Sequence, residues 1–171
     1  MRIRVGILTI SDKGARGQRV DTSGAAIRET LSPLAEIAAY AVVPDEAEVI
    51  AARLRQWADD LGLDLVLTTG GTGLSSRDVT PEATLAVVER LVPGLAEAMR
   101  LEGLRYTPMA MLSRAVAGVR GRTLIVNLPG SEKSVRESLA TILAVLPHAV
   151  AMLQGAVADH RATAAGVEPA S

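Results

Sequence analysis

Two spacings of apolar residues alternate along the chain. Residues 3–10 are nearly continuous in Ile, Val and Leu, and Leu65-Val66-Leu67 is a second apolar run extended by Thr68-Thr69. Both read as short strands buried on two faces. Residues 37–43 and 123–128 read the same way, and residues 115–119 precede the last strand across a tight Arg120-Gly121-Arg122 turn. Between these runs the spacing becomes helical. Ile27, Leu31 and Leu34 follow an Asp21 cap and stop at Ser32-Pro33. Ile50, Leu54, Trp57, Ala58 and Leu61 follow Asp45 at N-cap with Glu48 at N3, and Gly62 ends them. Residues 81–91 form a helix capped by Thr80, with Pro81 at its first position and Leu85, Val88 and Leu91 inward, and Pro93-Gly94 opens another to about Tyr106. Ser131 caps a last helix carrying Val135, Leu139, Ile142, Leu143, Leu146, Val150 and Leu153 on one face, kinked at Pro147.

Strand alternating with helix predicts an α/β fold with a mostly parallel sheet covered on both faces, and one short hairpin-linked antiparallel strand. One domain is expected over residues 1–158, with 159–171, rich in Ala, Thr, Gly and Pro, a flexible tail.

Composition narrows the chemistry. The chain of 171 residues has no cysteine, which excludes disulfides and thiolate metal sites. With 18 basic against 19 acidic residues, nothing in the overall charge favours nucleic acid or an anionic membrane. Phenylalanine is absent and Tyr40, Trp57 and Tyr106 are the only aromatics, too few for base-stacking platforms. No leader and no run of about 20 apolar residues is evident, so a cytoplasmic protein is expected.

The chemistry therefore concentrates in Leu65-Val-Leu-Thr-Thr-Gly-Gly-Thr-Gly-Leu-Ser-Ser-Arg-Asp-Val-Thr-Pro81. Gly70, Gly71 and Gly73 remove three β-carbons in four positions, so backbone N–H groups can approach a phosphate closely. Arg77 and Asp78 follow, and since Thr80 is read as the cap, Asp78 is left beside the glycines. The loop is no Walker A, lacking Gly-Lys-Ser/Thr, and no dinucleotide fingerprint, because Ser76 stands where the third glycine belongs. No Gly-x-Ser-x-Gly elbow occurs, and His148 and His160, the only histidines, read as structural or solvent-exposed. Carboxylates and backbone amides remain, which suits magnesium-assisted phosphoryl or nucleotidyl transfer. Lys13, Arg16 and Arg19, interleaved with Gly14 and Gly17, read equally as a mobile surface loop or a polyphosphate clamp. Thr9, Ser11 and Asp12 close the first strand at the carboxyl edge, where open α/β sheets bind ligands.

The runs Thr68-Thr-Gly-Gly-Thr-Gly73, Arg77-Asp-Val-Thr-Pro-Glu-Ala-Thr84, Leu112-Ser-Arg114 and Asn127-Leu-Pro-Gly-Ser131, in that order, resemble the MogA/MoaB family of molybdenum cofactor biosynthesis; related domains occur in plants and in gephyrin. The resemblance covers about residues 3–155 and implies a three-layer α/β/α sandwich, assembled as a homotrimer or homohexamer. Asp78-Val-Thr-Pro-Glu-Ala-Thr84 and Val43-Pro-Asp-Glu46 are similar to the MogA branch, which adenylylates molybdopterin with Mg-ATP; the MoaB branch often departs there. Carried over residue by residue, it implies Asp45 and Asp78 as catalytic, magnesium-holding carboxylates, although the residues alone explain Asp45 as a helix cap. It implies substrate contacts from Thr9, Ser11 and Asp12, from the phosphate cradle Gly70-Gly71-Thr72-Gly73 with Arg77, Thr80 and Pro81, and from Ser113, Arg114, Asn127, Pro129, Gly130 and Ser131. For Arg114 a plain surface charge is an equal reading. ATP and molybdopterin would be substrates, and a MoeA-like molybdenum-insertion protein would receive the product. Gephyrin keeps a second function class open, a MoaB-like pterin-binding or oligomeric scaffold module with little or no adenylyltransferase activity.

Overall fold

The computed structural model describes residues 2–156; the expected domain end at 158 and the tail 159–171 lie outside them. Six strands form one sheet in the order β2-β1-β3-β6-β5-β4. They are β1 (Ile3–Ile10), β2 (Ala35–Val43), β3 (Leu65–Thr69), β4 (Arg90–Leu91), β5 (Ala117–Arg120) and β6 (Thr123–Leu128). β2, β1, β3 and β6 are parallel, and β5 alone runs against them, pairing antiparallel with both β6 and β4. The mostly parallel sheet with one reversed strand is thus as expected. β1 and β3 carry side chains buried on both faces, which is why their sequences show no polar alternation.

One face is covered by α2 (Thr22–Leu31), α5 (Pro93–Gly103), α6 (Glu132–Ile142) and α7 (Leu146–Leu153), around Val5, Ile7, Leu65, Leu67, Leu124 and Val126. The other is covered by α3 (Ala47–Arg55) and α4 (Thr80–Leu85), around Leu8, Ile10, Val66 and Ile125. Trp57, in a π turn that continues α3, packs where a β-carbon on Gly6 of β1 would stand. Among the described residues no single helix is long and apolar enough to cross a membrane.

Four expectations fail locally. The helix expected over 81–91 is only α4, and the chain then extends into the edge strand β4; Leu85 and Leu91 are exposed, and Val87 supplies the buried contact. Leu34 and Leu61 also lie at the surface, beyond the ends of their helices. Pro147 does not kink a helix but stands in the first turn of a separate one, α7, which leaves α6 at 64°. The segment read as a loop after β1 contains a single helical turn, α1 (Asp12–Ala15), because Ser11 accepts a hydrogen bond from the Gly14 amide.

β1 continues to β2 on one side, and β3 lies on its other side, so the chain reverses its direction of winding between β1 and β3. The loops after β1 and β3 diverge there and leave a crevice at the carboxyl edge, the usual ligand position of such sheets.

Candidate active site

The crevice holds a polar cavity of about 330 Å³. Its walls come from the ends of β1 (Thr9, Ser11) and β3 (Gly70, Gly71), from Asp45 and Asp78, and from the turn before α6 (Gly130, Ser131). Eight of the expected site residues therefore meet in one place. Four more, Thr72, Gly73, Ser113 and Pro129, line a second cavity of about 260 Å³ between α5 and α6, walled by apolar groups including Ala96, Met99 and Leu112. The glycine loop is the partition between the two.

Gly70 (φ +97°) and Gly71 (φ +68°) take left-handed backbone that a side chain would resist, and a β-carbon on Gly71 would strike the Thr80 hydroxyl. The loop carbonyls are all held by protein donors. The Thr80 hydroxyl donates to Gly70 O at 2.9 Å, Thr80 N to Gly71 O at 3.1 Å, Arg114 N to Thr72 O at 2.9 Å and Arg114 Nε to Gly73 O at 2.8 Å. The amides of Gly71, Thr72 and Gly73 have no acceptor among the described residues. A loop with its oxygens turned inward and its N–H groups free is an anion cradle.

Two carboxylates face this cradle. Asp78 accepts the Ser75 amide at 2.9 Å, and the same oxygen lies 2.9 Å from where a Gly73 β-carbon would be, so the side chain folds back over the loop. Asp45 does not cap α3: the residue at that cap is Glu46, which makes no side-chain bond to the helix, and Asp45 instead accepts the Asp12 amide at 2.9 Å. The cap expectation fails because the turn after β2 aims Asp45 across the sheet edge at the β1 loop rather than along its own helix. Burial, together with the charges of Asp12 and Asp78, pushes the Asp45 carboxyl above its ordinary range. Asp12 returns the contact, accepting the Asp45 amide at 3.0 Å, and its carboxylate also takes both arms of Arg77 at 3.0 and 2.8 Å. That fork holds Asp12 below the usual carboxylate range.

Six expected contacts are absent from both cavities and serve the protein instead. Asp12 and Arg77 are spent on one another. Thr80 does not cap α4, which starts after Val79, but braces the glycine loop, and the adjacent Pro81 is buried beneath it. Arg114 reaches Gly73 O, Asp78 O at 2.8 Å and the Glu82 carboxylate, which it holds below its ordinary range. Asn127 is fully buried, donating to the Thr68 and Thr84 hydroxyls at 3.0 and 2.9 Å and accepting the Val116 amide. Its position in a motif signalled importance, but only packing shows that it knots β3, α4 and β6 together.

Sequence reasoning offered Arg19 as one arm of a polyphosphate clamp but missed the rest of the far wall of the polar cavity, formed by Val20, Asp21, Thr22 and Ser23. Asp21 was read only as a cap, a role it fills by accepting the Gly24 amide at 2.8 Å, but its other oxygen also takes the Thr9 and Tyr40 hydroxyls, each at 2.6 Å. Burial and this bond to Asp21 push the Tyr40 hydroxyl up to about 12. Ser23 donates to Gly130 O at 2.7 Å and joins that wall to the α6 turn. Of the three basic residues in that segment, Arg19 alone lines the cavity.

The sequence pattern described as a probable molybdopterin binding domain matches residues 6–148. The chain belongs to that family. Among molybdopterin-domain relatives, the molybdopterin adenylyltransferase of Helicobacter pylori is 44% identical over 158 residues, covering 90% of this chain and 89% of its own. The molybdopterin biosynthesis enzyme MoaB from Thermus thermophilus is 64% identical, with a TM-score of 0.85 over 90% of this chain and 97% of that one. The molybdopterin biosynthesis Mog protein from Mycobacterium ulcerans is 39% identical, with a TM-score of 0.83 over 91% and 99%. The three-layer sandwich of the molybdopterin domain is accordingly this chain's fold, and the glycine loop, Asp45 and Asp78 all fall inside the matched span.

Proposed function

We propose that this chain is a molybdopterin adenylyltransferase, which transfers the adenylyl group of ATP to the terminal phosphate of molybdopterin and releases pyrophosphate. The observation that carries the reading is the glycine loop between the two cavities, whose free amides stand beside two carboxylates that form no ion pair with an arginine among the described residues. Relatives named molybdopterin adenylyltransferase at 38–44% identity agree with it.

An oxygen of the pterin phosphate forms the new bond to the α-phosphorus of ATP as the bond to the bridging oxygen of pyrophosphate breaks, and that oxygen keeps the electron pair. The phosphate monoester is already ionised at neutral pH, so no protein nucleophile is needed; the chain's task is to bring two polyanions together and align them. The amides of Gly71, Thr72 and Gly73 take the phosphates, Arg19 offsets charge at the far wall, and the apolar cavity beside Ser113 receives the pterin. Asp45 and Asp78 fit magnesium. Both are hard oxygen donors, one or two carboxylates with substrate phosphates suffice for that ion, and the charges of Asp12 and Asp78, which add to burial in raising Asp45, are offset by a cation. Magnesium bound there would neutralise phosphate charge.

The reading includes self-association as a trimer or hexamer, a cytoplasmic setting and hand-over of product to a molybdenum-insertion protein. Exposed apolar side chains on α5 (Leu101), in the turn after it (Tyr106) and on the 3-10 turn Pro108–Leu112 (Met109, Met111) support self-association. A second reading is a MoaB-like pterin-binding or scaffold protein with little or no adenylyltransferase activity; the Thermus relative carries the MoaB name, as a biosynthesis enzyme. One assay separates them: purified protein, molybdopterin and Mg-ATP release stoichiometric pyrophosphate if the chain is the enzyme, and none if it is a scaffold.

A further inference from the structure

We infer that Arg114 is a positioning residue that holds the phosphate cradle in shape from behind and never touches the ligand; this rests on the reading of the glycine loop as a phosphate site. In a planar trans peptide the carbonyl of one residue and the N–H of the next point in opposite directions, and no peptide described here is cis. Whatever grips a loop carbonyl therefore turns the following amide the other way. Thr80 grips the first two carbonyls of the loop, at Gly70 and Gly71. Arg114 grips the next two, Thr72 O through its own amide and Gly73 O through Nε at 2.8 Å, which sets the amides of Gly73 and Leu74.

The same guanidinium spans the loop. One terminal nitrogen donates to Asp78 O at 2.8 Å, and Glu82 holds the outer edge of the fork. Gly73 and Asp78 are thereby fixed to one rigid plane, with Ser75, whose amide holds the Asp78 carboxylate, between them. The guanidinium, outside both cavities, thus orients the Leu74 amide and fixes where the loop ends at Asp78, while the Arg114 backbone amide, which a substitution keeps, orients that of Gly73. Lysine would keep the charge but has a single nitrogen, which cannot serve Gly73 O, Asp78 O and Glu82 together.

The test uses full-length wild type, Arg114→Lys and Arg114→Ala, with inorganic pyrophosphate in magnesium as the probe in titration calorimetry and with melting followed in parallel. Wild type should bind. Arg114→Lys should bind about tenfold more weakly while melting close to wild type, the loss expected when one or two positioned hydrogen bonds disappear. In Arg114→Ala, millimolar methylguanidinium should restore part of the affinity, and ethylammonium should not. Wild-type affinity in Arg114→Lys overturns the inference. So does a loss of affinity that only follows a collapsed melting transition and is not rescued by methylguanidinium, since that is a general structural role. A wild type that fails to bind pyrophosphate removes the phosphate reading itself, which separates the two failures.

Discussion

Gly71→Ala measures how tightly the glycine loop is packed against its own support. The position has φ +68°, and left-handed backbone costs a residue with a β-carbon roughly 1–2 kcal/mol. The new methyl would also land on the Thr80 hydroxyl, with Thr80 Cβ at 3.3 Å and Asp45 Oδ1 at 3.4 Å. Thr80 is fully buried and cannot swing into solvent, so its bond to Gly70 O is lost. Stranding that buried carbonyl costs a further roughly 1–3 kcal/mol. The sum, roughly 2–5 kcal/mol, corresponds to a fall in Tm of roughly 4–20 °C for a domain of this size. Gly17→Ala is the control, because Gly17 has φ +71° but nothing within 4 Å of its would-be β-carbon, so it carries the backbone strain alone. Differential scanning calorimetry of both variants isolates the collision. Pyrophosphate titration well below either melt should show lost binding only in Gly71→Ala, whose Gly70 carbonyl is no longer held. If the two variants melt within about 2 °C of each other, the close packing of Thr80 against the loop is not what makes Gly71 a glycine.

Asp78→Asn keeps the shape and the acceptor for Ser75 but removes the charge, so turnover should fall roughly a hundredfold or more while pterin affinity changes little; a wild-type rate at saturating magnesium would contradict the metal role. Asp45 has a carboxyl raised above its unfolded value, so its relative stability is present below the unfolded pKa and is lost as pH rises through the folded pKa. Asp45→Asn should therefore melt above wild type at about pH 8, with the gap closing towards about pH 3. A wild type that is the more stable protein at the higher pH would show that burial does not disfavour the Asp45 charge. Sedimentation at micromolar concentration should give a species larger than the monomer, and a monomer would remove the assembly proposed from the exposed apolar residues between Leu101 and Met111.

The sequence alone determined the alternation of strands and helices, the central glycine loop and the residue types that any chemistry here must use. These are local: continuous apolar runs mark strands buried on both faces, as in β1 and β3, and clustered glycines mark backbone that must turn and approach closely. The same local logic gave Asp21 and Ser131 as caps, and both cap as expected. It failed at Asp45 and Thr80. Each stands at the start of a helix and has cap chemistry, but a cap also needs to sit just outside the first turn with its side chain pointing back along its own helix, and the direction of the incoming chain decides that. β2 delivers Asp45 against the loop after β1, and β3 delivers its glycines against Thr80, contacts between segments that only the sheet order brings together.

Tertiary structure also sorted the motif residues. Asn127, Arg114 and Asp45 stand in equally recognisable runs, yet one is a buried knot, one a brace behind the loop and one a wall of the polar cavity. Spacing along a chain carries no record of which side of a backbone a donor approaches. Apart from Arg19, the far wall as far as Ser23 was illegible for the same reason, since it reaches the glycine loop only where β1 lies between β2 and β3. Pairing order in a parallel sheet is fixed by crossovers that span tens of residues, and no local pattern encodes it.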